Sequence, residues 1–348
     1  MKSVRYSSKI IMGAALTAAI LIPTLSSKVH AGEEVNVYSY RQPFLVKPLF
    51  DAFTQKSGIK VNVIFAKKGM VEKIKAEGAN SPADVLLTVD ISRLSKAVMS
   101  GVSQTITSPV LTANIPAEYR DAGGHWFGLT KRARVVYASN ERVAQKAITY
   151  EELADPKWKG KICIRSGQHV YNRALFASMI AHHGEEKAEN WLKGFKANLA
   201  RKPKGNDRKQ VKAVFAGECD ISIGNTYYMG KMQTNKKNPE QQEWAKSVRI
   251  LFPNTNDRGA HINVSGALVA KYAPHKANAI KLIEWLTSDK AQKIYAEVNH
   301  EYPVKKGIAT SDLVKSWGAF KSDTLSLTKI ADFSGKATKM VDKVNFNN

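Results

Sequence analysis

The stretch Gly224-Asn225-Thr226-Tyr227-Tyr228-Met229-Gly230 sets two tyrosines side by side where a strand gives way to a helix. It follows the strand-like run Cys219-Asp220-Ile221-Ser222-Ile223. Neighbouring side chains in regular structure point apart. At an irregular helix N-terminus both phenol oxygens can instead turn toward one point in a cleft. Phenolate is a hard oxygen donor, and a small trivalent cation such as Fe3+ favours anionic oxygen ligands. A free phenol has a pKa of about 10, and a bound cation can supply the charge that displaces its proton. The plainer alternative is two half-buried aromatics packing the start of a helix.

Other donors fall at the ends of expected strands. In open parallel sheets ligands bind beyond the carboxyl ends of the strands. The first strand ends at Tyr40-Arg41-Gln42 and the third at Thr88-Val89-Asp90. The strand that carries Cys163 ends at Ser166-Gly167, with Tyr171 at the start of the next helix. Four tyrosines, an arginine and an aspartate are therefore candidates for one rim, although Asp90 also reads as a helix cap. The adjacent His182 and His183 lie on an expected helix, point apart, and read as surface or partly packed. His125, His169 and His261 fall near loops or crossovers, within reach of the cleft, although each taken alone reads as structural. Nucleophile-elbow, H-E-x-x-H and P-loop patterns are absent, which weighs against an exported enzyme.

The elements that must position these groups alternate strand and helix. Residues 35–40, 61–65 and 83–88 read as strands, with helices over 45–58, 70–78 and 91–100. This βαβ rhythm implies a largely parallel sheet with helices on both faces. Residues 105–124, with two prolines and a Gly-Gly pair, read as a break, and the extended run 134–138 as a passage into a second lobe. There the rhythm resumes: strands at 161–165, 219–223 and 248–252, and helices over 150–154, 172–182, 185–196 and 210–216. The extended run 262–269 reads as the return, followed by amphipathic helices over 276–287 and 289–298. The expected division is 32–133 with 259–310 in the first lobe, 134–258 in the second, and 311–348 as C-terminal helices packing on both.

Residues 1–31 read as a secretory leader: Lys2, Arg5 and Lys9 precede the apolar run Ile10 to Leu25, and Val29-His30-Ala31 fits a cleavage site. Cleavage near Ala31 would leave about 317 residues, enough for two lobes with substantial cores. The formal net charge is +23, and about +19 survives loss of the leader. The lysines are scattered along amphipathic segments rather than blocked together, and no zinc-knuckle or aromatic RNA-binding motif accompanies them. A nucleic-acid partner is thereby disfavoured, while attraction to anionic envelope surfaces or an acidic partner stays open. Two cysteines in an exported chain suggest one disulfide. If the Cys163 and Cys219 strands are parallel neighbours, both thiols fall near equivalent ends.

These motifs together resemble the periplasmic ferric-ion-binding proteins of bacterial iron ABC transporters, a branch of the type II solute-binding proteins. The resemblance runs over nearly the whole mature chain. It is carried by Val37-Tyr38-Ser39, by Ala83 to Asp90, by Trp126-Phe127-Gly128-Leu129, by the Trp158 to Arg165 segment, and above all by Gly224 to Tyr228. It implies an α/β two-lobe fold, each lobe a mixed, mostly parallel sheet flanked by helices, with the ligand cleft between lobes. It also implies Fe3+ as cargo, Tyr227 and Tyr228 as paired tyrosinate ligands, and Tyr171 as the third tyrosine. Many relatives carry His-Tyr just after Tyr-Ser-x-Arg, where this chain has Gln42-Pro43, so Tyr40 is the candidate substitute. A bound carbonate or other anion would fall to Arg41, Arg132 or Arg134. The implied partners are an inner-membrane permease and its ATPase, with the protein a periplasmic monomer. The same fold binding an oxyanion, a polyamine or thiamine is the alternative.

Overall fold

The computed structural model describes Met1 and residues 33–348. Apart from Met1, the leader expected over residues 1–31 lies outside the described residues. Among these, nine strands form one mixed sheet: β1 (Glu34–Ser39), β2 (Lys60–Phe65), β3 (Val85–Thr88), β4 (Phe127–Ser139), β5 (Ile162–Cys163), β6 (Ile221–Asn225), β7 (Val248–Leu251), β8 (Ile262–Val269) and β9 (Tyr302–Pro303). The order is β2-β1-β3-β8-β4-β6-β5, with β7 and β9 also paired to β4. β1 runs parallel to β2 and β3, and β5 runs parallel to β6. β8 and β4 pair antiparallel to their neighbours.

Local chemistry sets the parallel units. The helix Pro43–Ser57 links β1 to β2; it opens on Pro43, whose missing N–H lies where no intrahelical partner exists. Gly58 closes it at φ 74°, the left-handed region that glycine enters without strain. The helix Met70–Glu77 links β2 to β3. β3 is buried along its whole length, as expected of a strand covered on both faces. Asp90 then caps the helix Ile91–Met99, its carboxylate accepting from the Ser92 N–H at 2.9 Å.

β4 is the strand that ties the sheet together. Its residues 127–133 pair with β8, and from Arg134 onward it pairs with β6 and β7. The strand begins seven residues before the extended run expected from the sequence. Phe127 to Thr130 are buried on both faces, so no polar-apolar alternation marked them. Two short helices also went unread, Pro109–Asn114 and Glu240–Lys246. Fewer than two turns give little periodicity to detect.

β5 and β6 pair with Cys163 opposite Ser222, and Cys219 lies just before β6. Cys163 and Cys219 form a disulfide with Cα atoms 5.9 Å apart, 56 residues separated in sequence. Closing a loop of that length stabilises the fold by on the order of 4 kcal/mol in the chain-entropy picture. The C-terminal helices Leu327–Asp332 and Ser334–Lys343 pack on the helix Val170–His183, and the former also touches Ile91–Met99. Phe346 anchors the terminus, fully buried against the rings of Phe176 and Phe195 at 5.4 and 5.5 Å. No described helix is long and apolar enough to cross a membrane.

Candidate metal centre

β6 delivers the tyrosine pair. Its five residues are buried, and Gly224 is required where it stands: a Cβ there would sit 2.3 Å from the Tyr137 ring. Tyr137 uses that space to donate its hydroxyl to the Asn225 carbonyl at 2.6 Å, which fixes the strand end. The chain turns through Thr226 directly into the helix Tyr227–Gln233, so the two tyrosines occupy its first two positions. Their rings lie with centroids 4.4 Å apart and planes 36° apart, on the same side of the helix start rather than splayed.

Tyr171 arrives from another direction. It is the second residue of the helix Val170–His183, where His169 Nδ1 accepts from its backbone N–H at 3.3 Å. The Tyr227 hydroxyl donates to the Tyr171 hydroxyl at 3.1 Å. Two oxygens on adjacent positions of a metal with bonds of about 2 Å lie roughly 3 Å apart, so this pair stands at a spacing that one small cation can bridge. Among the described residues no three His, Cys, Asp or Glu side chains gather at metal-binding distance. The phenols are therefore the oxygen-donor cluster of this cleft.

A cationic wall stands behind the phenols. The guanidinium groups of Arg165, Arg132 and Arg134 lie 5.3, 5.6 and 5.8 Å from the Tyr171 ring centre. Asp207, fully buried, orders two of them. It accepts from Arg134 at 2.7 Å, from Arg165 at 2.9 Å and from the Asn225 backbone N–H at 3.0 Å. Arg134 also donates to Asn172 at 2.6 Å and to the Asn225 side chain at 3.0 Å. One carboxylate thus links β4, β6 and the turn before Tyr171.

Burial pushes the Tyr227 hydroxyl well above its ordinary pKa, and the neighbouring Tyr171, Tyr228 and Asp207 add to the shift against Arg132. Tyr228 is raised as well, first by burial and then by Tyr171 and Asp207. Both phenols are protonated in the free protein near neutral pH. Burial and Arg165 push His169 down to about 3, leaving a neutral ring beside Tyr171. Lys231, four residues beyond Tyr227, is lowered to about 8 by burial.

Tyr171, Tyr227, Tyr228, His169, Lys231, Arg132 and Arg165 line one cleft of about 920 Å³, which also exposes Lys67, Arg93, Arg208, Lys236 and Lys237. Its carboxylate is Glu301, buried and paired with Arg41 at 2.6 Å. Arg41 also donates to Ser265 at 2.6 Å, which engages two of its three nitrogens inside the protein. Arg132 is looser. It donates to the Val89 carbonyl, lies 3.7 Å from Asp90, and leaves its buried Nη1 without a protein partner. Asp90 is a cap, also accepting from Asn263 at 2.9 Å. Tyr40 lines the cleft, but its hydroxyl accepts the Met70 and Val71 backbone N–H groups at 3.0 and 3.2 Å and so serves the start of a helix.

Of the histidines, His169 lines the cleft with its ring centre 4.5 Å from that of Tyr171. His182 meets Asp323 and His183 meets Glu151, each at 2.7 Å, away from the cleft. His125 contacts Ser103 at 3.0 Å. His261 is buried where β8 begins, beside Arg132 and Arg134 in a cavity just large enough for one water-sized group. Sequence reading missed Asp207 and Glu301. Asp207 opens a helix, where acids are common, and Glu301 stands in a segment whose two-residue strand has no readable period. Neither position carried a local signal.

A profile of the bacterial extracellular solute-binding proteins matches residues 80–319. Iron uptake protein A1 of Synechocystis sp. is 46% identical over 316 residues, 90% of this chain and 88% of that protein. The crystal structure of Pasteurella haemolytica apo ferric ion-binding protein A superposes with a TM-score of 0.87 at 54% identity, covering 91% of this chain and 99% of that one. A Trichodesmium protein solved in complex with iron and citrate superposes at 0.85 with 46% identity, over 90% and 99% of the two chains.

Proposed function

The chain belongs to the bacterial extracellular solute-binding proteins, with their two-lobe type II fold, and from that premise we propose that its cleft captures ferric iron. The observation that carries the reading is the 3.1 Å contact between the Tyr227 and Tyr171 hydroxyls, with the Tyr228 ring 4.4 Å from that of Tyr227. In this reading Fe3+ displaces the three phenolic protons, and the tyrosinates neutralise its charge in a half-buried site. The names of the Synechocystis, Pasteurella and Trichodesmium relatives support iron as the cargo.

The cleft also asks for an anion. Three tyrosinates leave coordination positions open, and the surrounding guanidinium and ammonium groups favour negative charge there. Arg132, with its free buried donor, is the better holder of carbonate or a carboxylate chelator, whereas Arg41 is engaged by Glu301 and Ser265. Tyr40, the candidate substitute from the first strand, is set aside in this reading because its hydroxyl already accepts the Met70 and Val71 N–H groups. The lobes, 32–133 with 259–310 and 134–258, close about β4, which crosses between them at Ala133–Arg134, and the return crossover just before β8; hinge closure is an established mode of such proteins. The protein acts as a monomeric carrier in the periplasm, not as an enzyme. It hands iron to a membrane permease driven by an ATPase, with release by reduction or by opening of the cleft.

The test is a visible absorption titration of purified protein with chelated Fe3+. A broad tyrosinate-to-iron band that saturates at one equivalent and disappears on reduction is expected. A protein that stays colourless with excess Fe3+ would leave the fold standing and remove iron, and the basic cleft would then point to an oxyanion.

A further inference from the structure

The strong positive charge has a structural focus that runs from the cleft mouth outward, away from the tyrosines. The helix Asp207–Phe215 and the loop before it present Lys202, Lys204, Lys209 and Lys212 to solvent. Among the described residues none of these four has a carboxylate at ion-pair distance, whereas Lys47, Lys73 and Lys193 are each paired with a carboxylate one turn along their own helices. Arg201, Lys204, Lys209 and Lys212 line a groove of about 350 Å³ in which Glu218 is the one acid, already paired with Arg201 at 3.2 Å. Asp207, the acid within the loop-helix segment, is buried on Arg134 and Arg165 and offers nothing outward. The helix packs against Glu240–Lys246, with Arg208 donating to Gln241 at 3.3 Å, and the exposed Lys236 and Lys237 lie just before that neighbour. Glu240 borders the field as an exposed acid.

The same helix ends on an apolar group. Arg208, Lys212 and Phe215 stand at i, i+4 and i+7, on one face, and Phe215 is 50% exposed. A cationic helix face with one exposed aromatic at its end has the chemistry of a membrane interface, where lysines meet lipid phosphates and an apolar ring enters the headgroup boundary. A docked protein would instead find few features of an interface core, which favours packed aromatics and arginine and is depleted in lysine.

We propose that this face, Lys202 to Phe215 with Lys236 and Lys237, docks the protein on an anionic phospholipid surface. Arg208, Lys236 and Lys237 belong both to this face and to the cleft lining, so docking brings the cleft mouth close to the membrane plane. The attraction is electrostatic at range and is screened by salt.

Co-sedimentation with phosphatidylcholine vesicles, with and without phosphatidylglycerol, tests the assignment. The protein is expected to bind only the anionic vesicles at low salt and to release them at about 0.5 M salt. Each lysine at such a surface carries about a fivefold share of affinity. The combined Lys204→Gln, Lys209→Gln and Lys212→Gln variant should therefore bind on the order of 100-fold more weakly, while its iron titration is unchanged. Phe215→Ser should weaken vesicle binding without altering its salt dependence. A control with Lys47, Lys73 and Lys193 changed to Gln should bind vesicles as the parent does. Equal loss in that control would reduce the effect to net charge and overturn the assignment. So would absence of vesicle binding at low salt, and binding of soluble polyglutamate through the same three lysines under those conditions would move the face to an acidic protein partner.

Discussion

The hydroxyl of Tyr227 donates to that of Tyr171 across 3.1 Å, although the two residues lie 56 positions apart and arrive from different strand-to-helix turns. The contact joins two elements that sequence spacing alone does not bring together, and it holds a pair of oxygens ready for one cation. Changing Tyr171, Tyr227 or Tyr228 to Phe is expected to weaken Fe3+ binding by orders of magnitude. The hydroxyls contribute little to folding, on the order of 1 kcal/mol for the one mutual hydrogen bond. Competition against a chelator, alongside thermal melts of the iron-free forms, separates the two effects. Wild-type affinity in any of the three would take that residue out of the coordination shell.

Iron uptake should release protons. Tyr227 and Tyr228 both hold their protons more firmly than a free phenol does, so each must lose one when it becomes a ligand. With Tyr171 as the third ligand to lose a proton, the apparent affinity is expected to fall as pH falls by a factor of about 1000 per unit. Titration in weakly buffered solution counts the protons directly. Three protons per iron are expected, and a lower count would mean that one of the three phenols does not ligate.

Acid should destabilise the iron-free protein through its buried histidines. Burial, with Arg132 and Arg134, pushes His261 down to about 3, and burial with Arg165 does the same to His169. Between about 6.5 and 3 the unfolded chain takes up protons that the folded chain refuses. The stabilising contribution is therefore complete above about pH 6.5 and is lost as pH falls toward 3. Each histidine accounts for a slope of about 1.4 kcal/mol per pH unit in the middle of that window. His261→Gln should flatten the slope by one such increment in denaturation curves taken from pH 5 to 6. An unaltered slope would mean that His261 titrates normally in the fold.

Much of the framework was legible. The alternation of short apolar runs and amphipathic helices placed β1, β2, β3, β6 and β8 and the long helices within a few residues, because each has its own period or capping signal. The Cys163–Cys219 disulfide was legible from two cysteines in a chain read as exported, and the parallel pairing of β5 with β6 supplies the condition that brings the thiols together. The Gly224 to Tyr228 stretch drew attention as two phenols at a strand end. What stayed hidden are interactions between distant segments. The Tyr40 hydroxyl is drawn to the start of Met70–Glu77 by unpaired backbone N–H groups, and nothing near Tyr40 in sequence announces that. Arg41 is likewise engaged by Glu301, 260 positions away.

Asp207 tests how far the cationic wall depends on one carboxylate. It is buried among Arg134, Arg165 and the Asn225 N–H. Replacing it with Asn keeps the shape and removes the charge that balances two guanidinium groups. Breaking a buried pair in this way costs about 3–5 kcal/mol, and urea denaturation should register a loss in that range. A loss under 1 kcal/mol would show that solvent or another acid compensates the arginines.

The helix that carries the tyrosine pair leans on the other side of the cleft through a glycine. A Cβ at Gly230 would lie 2.4 Å from the His300 ring. The neighbouring contacts repeat the attachment: Lys231 donates to the Val298 carbonyl at 2.7 Å, and the Thr234 hydroxyl meets His300 Nε2 at 3.3 Å. His300 adopts φ 57°, a conformation that non-glycine residues enter at some cost, so its ring is held in place by its surroundings. Gly230→Ala should therefore push the helix away from His300 and carry Tyr227 and Tyr228 with it. The expected result is a folded protein with iron affinity reduced at least tenfold and a shifted charge-transfer band. Adding His300→Gly removes the ring and suits the backbone at that position, so the double variant should regain most of the affinity. Wild-type affinity in Gly230→Ala alone would mean that the helix shifts without moving the phenols. A double variant no better than the single would place the damage in the helix itself.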